Sequence, residues 1–147
     1  EKDYDYLTII SMYGTKQTKL NVLRTGQLTI NLATTKMLEL VDYLGQTSGK
    51  NGKKDAVSYT WNKALCVNAP TLDASPWVCE CEVAKTVNTG ESDTFFCRVK
   101  NVQVDEQIDV DEKGIDLTLF DPVIYSGNYH SLGKFLGAIG DFYKKEK

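Results

Sequence analysis

The sequence holds one histidine, His130, in 147 residues, and that scarcity removes several chemistries at once. A multi-histidine metal centre is excluded by count. A Ser–His–Asp or Cys–His pair would have to use His130, and its neighbours, YHSLG, contain no activated nucleophile. Neither G-x-G-x-x-G nor G-x-x-x-x-G-K-S/T occurs, so Rossmann and P-loop sites are unsupported. There is no basic block to track a phosphodiester backbone: 17 Lys and Arg face 20 Asp and Glu, giving net charge −3 and a pI of about 5.2. Nucleic acid is therefore not an expected partner. No apolar run approaches the ~20 residues of a membrane span. No charged-then-apolar leader opens the sequence, so a cytoplasmic location is expected. The sequence starts at Glu1 without an initiator Met, and further chain is expected upstream.

Four cysteines are present: Cys66, Cys79, Cys81 and Cys97. Cys79 and Cys81 are two apart in a strand-like run, so both point to one face. A thiolate metal set is one reading. The spacing is not that of a zinc knuckle, however, and no histidine completes it. A disulfide framework does not suit a chain of this size without a leader. The favoured reading is free cysteines buried as small hydrophobes, with no metal.

What remains is ordinary globular material, 41% hydrophobic and 25% charged, of a length that suits one domain spanning residues 1–147. The stretch Asp42–Asp55, DYLGQTSGKNGKKD, concentrates Gly45, Gly49 and Gly52 with Thr47, Ser48, Lys50, Lys53 and Lys54. Glycines let successive N–H groups turn towards an anion, and lysines add charge. A held phosphate is one reading and a solvated surface loop the other. A second candidate anion position is the helix start at Thr15, Lys16 and Thr18, where a plain N-cap is the favoured reading.

Along the chain, Tyr6–Tyr13 reads as a buried strand that Gly14 ends. Thr15 or Thr18 is expected to cap a helix stopped by Gly26. Gln27–Leu32 alternates as a half-buried strand. Thr34 or Thr35 caps a helix over Lys36–Leu44, with Met37, Leu40, Val41 and Leu44 on one side. Ala56–Trp61 reads as extended, and TLDAS between Pro70 and Pro76 as a loop. Trp77–Val87 and Thr94–Val104 form the clearest hairpin, turning at Asn88–Gly90. Cys79 and Cys81 share a face of it with Trp77 and Val83, while Glu80 and Glu82 point outward and read as solvated rather than catalytic. The acidic stretch Asp105–Asp121 fails as a calcium loop, because Lys113 and Phe120 occupy ligand positions, and reads as a polar connection. A short strand at Val123–Tyr125, a turn at Gly127 and a helix from Ser131 bearing Phe135, Leu136, Ile139 and Phe142 close the chain. Strand dominance implies a mainly β fold with short helices, an antiparallel barrel with helices outside.

Several stretches recur together in order: Asn31-Leu32 before the helix containing Met37, the DYLGQTSGKNGKKD loop, SPWVCECEV, and DPVIYSGNYHSLG. Over about Tyr6–Gly137 the sequence resembles the flavin reductase-like family, the FMN-binding split-barrel proteins that include flavoredoxin-type carriers. The resemblance implies an antiparallel split β-barrel, forming a homodimer with FMN near the interface; FAD is the alternative flavin and NAD(P)H a co-substrate. It implies flavin contacts at Thr15, Lys16 and Thr18, and at Gly45, Ser48, Gly49 and Lys53 or Lys54, with Tyr125 and Tyr129 near the interface. The family's members begin with a further strand pair, so the expected domain is one short of its N-terminal strands. Relatives that reduce free flavin often carry a histidine just after the proline-led strand, where this sequence has Ser126. The function implied is an FMN-dependent oxidoreductase or flavin reductase moving electrons from NAD(P)H or a protein donor to an acceptor. A non-catalytic FMN-binding carrier and a cofactor-less dimerisation barrel are the alternatives.

Overall fold

The computed structural model of the chain describes residues 7–49, 54, 57–108, 110–111, 114–139 and 141. Its centre is an antiparallel sheet of four strands in the order β1-β6-β5-β2. These are β1 (Leu7–Tyr13), β2 (Gln27–Asn31), β5 (Trp77–Asn88) and β6 (Ser92–Val104). The sheet curls into an open half-barrel, and with two short α-helices it makes a mainly β, split-barrel fold. Helix α1 (Gln17–Thr25) lies between β1 and β2, and α2 (Leu38–Gln46) follows β2 after a 3-10 turn at Thr35–Met37.

The long β5–β6 hairpin is the spine, as the alternation over Trp77–Val87 predicts. Gly90, at φ 88°, takes the left-handed conformation that its tight turn requires. Two irregularities bend the hairpin. Glu80 lies opposite Asn101 but Cys81 lies opposite Val99, so Lys100 is an extra residue in β6. Val83 lies opposite Cys97 and Lys85 opposite Phe96, so Ala84 is an extra residue in β5. Such bulges increase local twist, and here they curl the sheet.

One face of the sheet carries the core. Leu28, Cys81, Phe95 and Cys97 are buried there beneath Val22 of α1, with Ile10, Met12, Ile30, Cys79, Val83 and Val99 packed around them. Gly26 ends α1 in the left-handed region (φ 68°), its N–H bonding the Val22 carbonyl at 2.8 Å. This is the predicted glycine stop. The start differs from expectation: the N-cap is Lys16, with no side-chain cap, and Thr18 is inside the helix.

The opposite face is polar at one end. Glu80, expected to be solvated, is fully buried. The loop between β3 (Trp61–Lys63) and β4 (Pro70–Leu72) folds over it. The Leu65, Cys66 and Val67 N–H groups donate to its carboxylate at 3.1, 2.6 and 3.2 Å. Asn101 and Gln103 donate at 2.9 and 2.6 Å. Burial alone would raise the Glu80 pKa, but these hydrogen bonds outweigh it and hold the pKa at about 2. Glu82, by contrast, is exposed as expected.

Four further expectations are revised. β1 is not buried: it is the sheet edge, and Leu7 and Ile9 on its outer face are each 62% exposed. The TLDAS loop contributes to β4, which pairs with β3. The acidic stretch contains a two-residue ladder of β7 (Val110–Asp111) with β8 (Gly114–Ile115) and a 3-10 turn at Leu117–Leu119. The C-terminal helix does not form over residues 131–139. Phe135, Leu136 and Ile139 are 78%, 77% and 107% exposed, so no packing supplies the stabilisation that a short helix needs. Phe142 lies outside the described residues, as do Lys50, Gly52 and Lys53. Among the described residues no helix is long and apolar enough to cross a membrane.

Glu80 makes stability pH-dependent in a defined direction. Its folded pKa of about 2 lies below the ordinary 4.5, so its contribution is complete above pH 4.5 and is lost as pH falls through 2. The shift corresponds to about 3 kcal/mol. Urea unfolding of wild type and Glu80→Gln should show the variant less stable at pH 7, with the gap narrowing as pH drops below 4.5. A gap that does not change with pH would refute this account.

Candidate functional site

The β1–α1 turn brings the first predicted segment to the surface. Thr15, Lys16 and Thr18 are all exposed around the start of α1. Lys16 provides no side-chain cap, and the first turn contains no acidic residue. The N–H groups of that turn therefore keep the partial positive charge of a helix N-terminus, with no neighbouring carboxylate on the same turn to offset it.

The second predicted segment meets the first. A Cβ built on Gly49 would lie 3.8 Å from the Gln17 Cβ and 4.0 Å from the Lys54 Cδ. Gly49 thus packs between the start of α1 and the Lys54 side chain. Two segments some thirty residues apart thus meet at Gly49, with Lys16 exposed at the helix start and Lys54 half-buried against the glycine. Ser48, next to it, is exposed.

Gly45 is placed differently from its expected loop setting. α2 continues to Gln46, so Gly45 is a helical residue in the last turn, exposed, with nothing within 4 Å of a Cβ there. The loop proper starts at Thr47, whose N–H and hydroxyl both donate to the Tyr43 carbonyl, at 3.0 and 2.7 Å. Lys53 lies outside the described residues.

The C-terminal segment approaches the same side of α2. Strands β9 (Ile124–Tyr125) and β10 (Tyr129–His130) form a small hairpin around Gly127, at φ 82°. The Tyr129 hydroxyl donates to the Asp42 carboxylate at 2.7 Å, and its ring lies 5.4 Å from that of Tyr125. The hydrogen bond to Asp42 raises the Tyr129 pKa, because ionised phenol and carboxylate repel. The base of the segment is fixed to the start of α2: Val123 N–H bonds the Ala33 carbonyl at 3.0 Å, and the Thr35 hydroxyl donates to Asp121 at 2.8 Å. Thr35 thus bonds across the fold instead of capping its own helix.

The sequence reading missed Gln17, although it sits between two residues that were singled out. It also missed Asp42 as the partner of Tyr129, for which no sequence pattern gives a signal. A separate cavity of about 200 Å3 lies between β3–β4 and the end of the long hairpin. Asn62, Thr71, Asp73, Ser75, Gln103 and Asp105 line it, and none is a predicted site residue.

The cysteines are not arranged as a centre. Cys81 and Cys97 are buried in the core, Cys79 is half-buried and Cys66 exposed. Burial raises the Cys81 thiol pKa to about 11, with smaller contributions from Cys79 and Cys97. Among the described residues no group of His, Cys, Asp and Glu is placed to hold a metal ion.

The profile of the flavin reductase like domain matches residues 6–133. The chain belongs to that family. Comparison with curated protein sequences returns no match. Solved structures share the fold. The flavoredoxin of Desulfovibrio vulgaris (Miyazaki F) is 23% identical with a TM-score of 0.82, over 92% of this chain and 75% of that one. A flavoredoxin from Methanosarcina acetivorans is 19% identical with a TM-score of 0.83, over 92% and 74%. Nitrilotriacetate monooxygenase component B from Bacillus cereus is 18% identical with a TM-score of 0.78, over 89% and 71%.

The thiol assignments are directly testable with a chromogenic disulfide reagent near neutral pH. Cys66 should react rapidly in the native protein and Cys81 and Cys97 only after unfolding, for a total of four thiols in denaturant. Rapid native reaction of Cys81 or Cys97, or stoichiometric zinc in the purified protein, would overturn the reading.

Proposed function

We propose that the chain binds FMN and serves as an FMN-dependent oxidoreductase, passing electrons from NAD(P)H or a protein donor to an acceptor. The observation that carries this reading is the convergence of the α1 start, Gly49 and Lys54 in a chain of the flavin reductase like family. The residues present fit a phosphate monoester. The first turn of α1 has no side-chain cap and no acidic residue, Gly49 keeps the approach narrow but open, and Lys16 and Lys54 supply cations. Further support comes from what related folds are called: flavoredoxins, a flavin reductase with a split barrel domain, and an FMN-binding protein from Thermus thermophilus.

Bound flavin supplies hydride and single-electron chemistry that no side chain of this protein offers. The protein's own part is binding and orientation. Lys16, Lys54 and the N–H groups of Gln17 and Thr18 would hold the phosphate, with Thr15 and Ser48 beside them. FMN is favoured over FAD because a structure of the same fold is called an FMN-binding protein. A homodimer belongs to the same reading: a second copy would cover exposed Ile124, Tyr125, Phe135 and Leu136, which a lone chain leaves in water. The carrier alternative gains weight from Ser126, where free-flavin reductases often have histidine. His130 lies instead on β10, opposite Ile124 and exposed.

Titration of the purified protein with FMN, followed by the visible absorbance of oxidised flavin, should show saturable uptake. Replacing both Lys16 and Lys54 by Ala should weaken FMN binding by about 1–3 kcal/mol while leaving riboflavin binding nearly unchanged. Flavin-dependent oxidation of NADH or NADPH separates the enzyme from the carrier. Failure to take up FMN at any concentration would sink the proposal.

A further inference from the structure

The first turn of α1 is poorly supported by its own residues. It has no side-chain cap, and its third residue is Lys19, a cation where the helix dipole disfavours one. Yet Lys19 is buried, and the turn of the long hairpin explains why. The Lys19 ammonium lies 2.7 Å from the Asp93 carboxylate, with the two side chains only 9% and 10% exposed. It also donates to the Glu91 carbonyl at 3.2 Å. That carbonyl accepts the Gly14 N–H at 2.9 Å, and the Tyr13 hydroxyl donates to the Glu91 carboxylate. On the far side, Asn88 donates to Asp93 at 2.8 Å. The hairpin turn thus holds the chain at both ends of residues 13–19, the segment that carries the helix start.

The middle of α1 has a separate anchor, because Val22 packs into the core with Leu28, Phe95 and Cys97. The ion pair acts on the N-terminal turn alone. The geometry points to Asp93 as a positioning residue for phosphate recognition. By neutralising and tethering Lys19, it keeps Gln17 against Gly49 and Lys54, so that N–H groups and cations converge on one anion. This rests on the flavin reading above. The Asp93 contacts run to Lys19 of the helix start and to Asn88 of the hairpin turn, so its effect should be confined to ligands that carry the phosphate. The hydrogen bonds from Lys19 and Asn88 lower the Asp93 pKa, in keeping with a permanently charged tether.

The test compares dissociation constants for FMN and riboflavin by fluorescence quenching, in wild type, Asp93→Asn, and the double variant Lys19→Met/Asp93→Asn. The double variant removes both charges, so no buried ammonium is left unpaired and folding is preserved. Thermal unfolding is recorded for each protein. The expected result is a loss of FMN affinity of roughly fivefold to tenfold in both variants, with riboflavin affinity changed by less than about twofold. The double variant keeps this pattern even where Asp93→Asn is too unstable to measure. Equal weakening of both ligands would show a general structural role and overturn the inference, as would unchanged FMN affinity in the double variant. Wild-type protein that binds FMN no better than riboflavin would remove the phosphate site itself. That result is distinct from the others because it appears without any substitution.

Discussion

The carboxylate of Glu80 is the point on which both halves of the structure depend. Five donors converge on its two oxygens: three consecutive N–H groups of the loop over the sheet and two side-chain amides of β6. A buried charge without such partners would cost several kcal/mol, and with them it becomes a connector between the sheet and the loop over it. The β3–β4 segment buries only a few apolar side chains, Ala64, Val67 and Leu72 among them. It is attached through Glu80, through Asn31, which accepts the Leu72 N–H, and through Thr29, whose hydroxyl donates to the Pro70 carbonyl. Each of these residues lies on β2 or β5, so polar bonds from the sheet fix the position of the cover, beside the buried apolar side chains of Ala64, Val67, Leu72 and Val78.

The other face works by ordinary burial, and the division of labour bears on function. Cys81, Phe95 and Cys97 with Val22 and Leu28 make a dry layer under α1. The helix is then finished at its N-terminus by charge from the hairpin turn. The surface proposed to bind an anion is thus backed by the sheet, which is what precise placement of a ligand requires.

Regular alternation and turn chemistry made much of this legible in the sequence. The long hairpin, its Gly90 turn, the Gly26 stop and the shared face of Cys79 and Cys81 follow from period-two patterning and from glycine's freedom at positive φ. The two segments proposed for the phosphate are visible as residue types, and their meeting at Gly49 depends on tertiary geometry. What was not legible required knowledge of what lies above each strand. Glu80 and Glu82 look alike in sequence, but only Glu80 is covered. YLTIISMY looks like a buried strand, but among the described residues β1 pairs with β6 alone. The C-terminal apolar residues have helical spacing without a surface to pack against. Lys19 and Asp93 are 74 positions apart, and no local pattern pairs them.

The extra residue at Lys100 has a consequence for how the chain can change over time. Beyond it, β6 presents Asn101 and Gln103 to Glu80; before it, Phe95 and Cys97 point into the core. Lys100 itself is exposed, with only a 3.8 Å contact to Glu82. Almost any amino acid can therefore occupy the position. Loss of the position is another matter. Removing it would place Asn101 directly after Val99, so Glu80 would still face Asn101 and Cys81 would still face Val99, and what would be lost is the local twist that the bulge supplies. Lineages descended from this chain should therefore vary freely in the identity of residue 100, and those that lose the position should keep Asn101 and Gln103 on Glu80 while flattening the curl of the sheet.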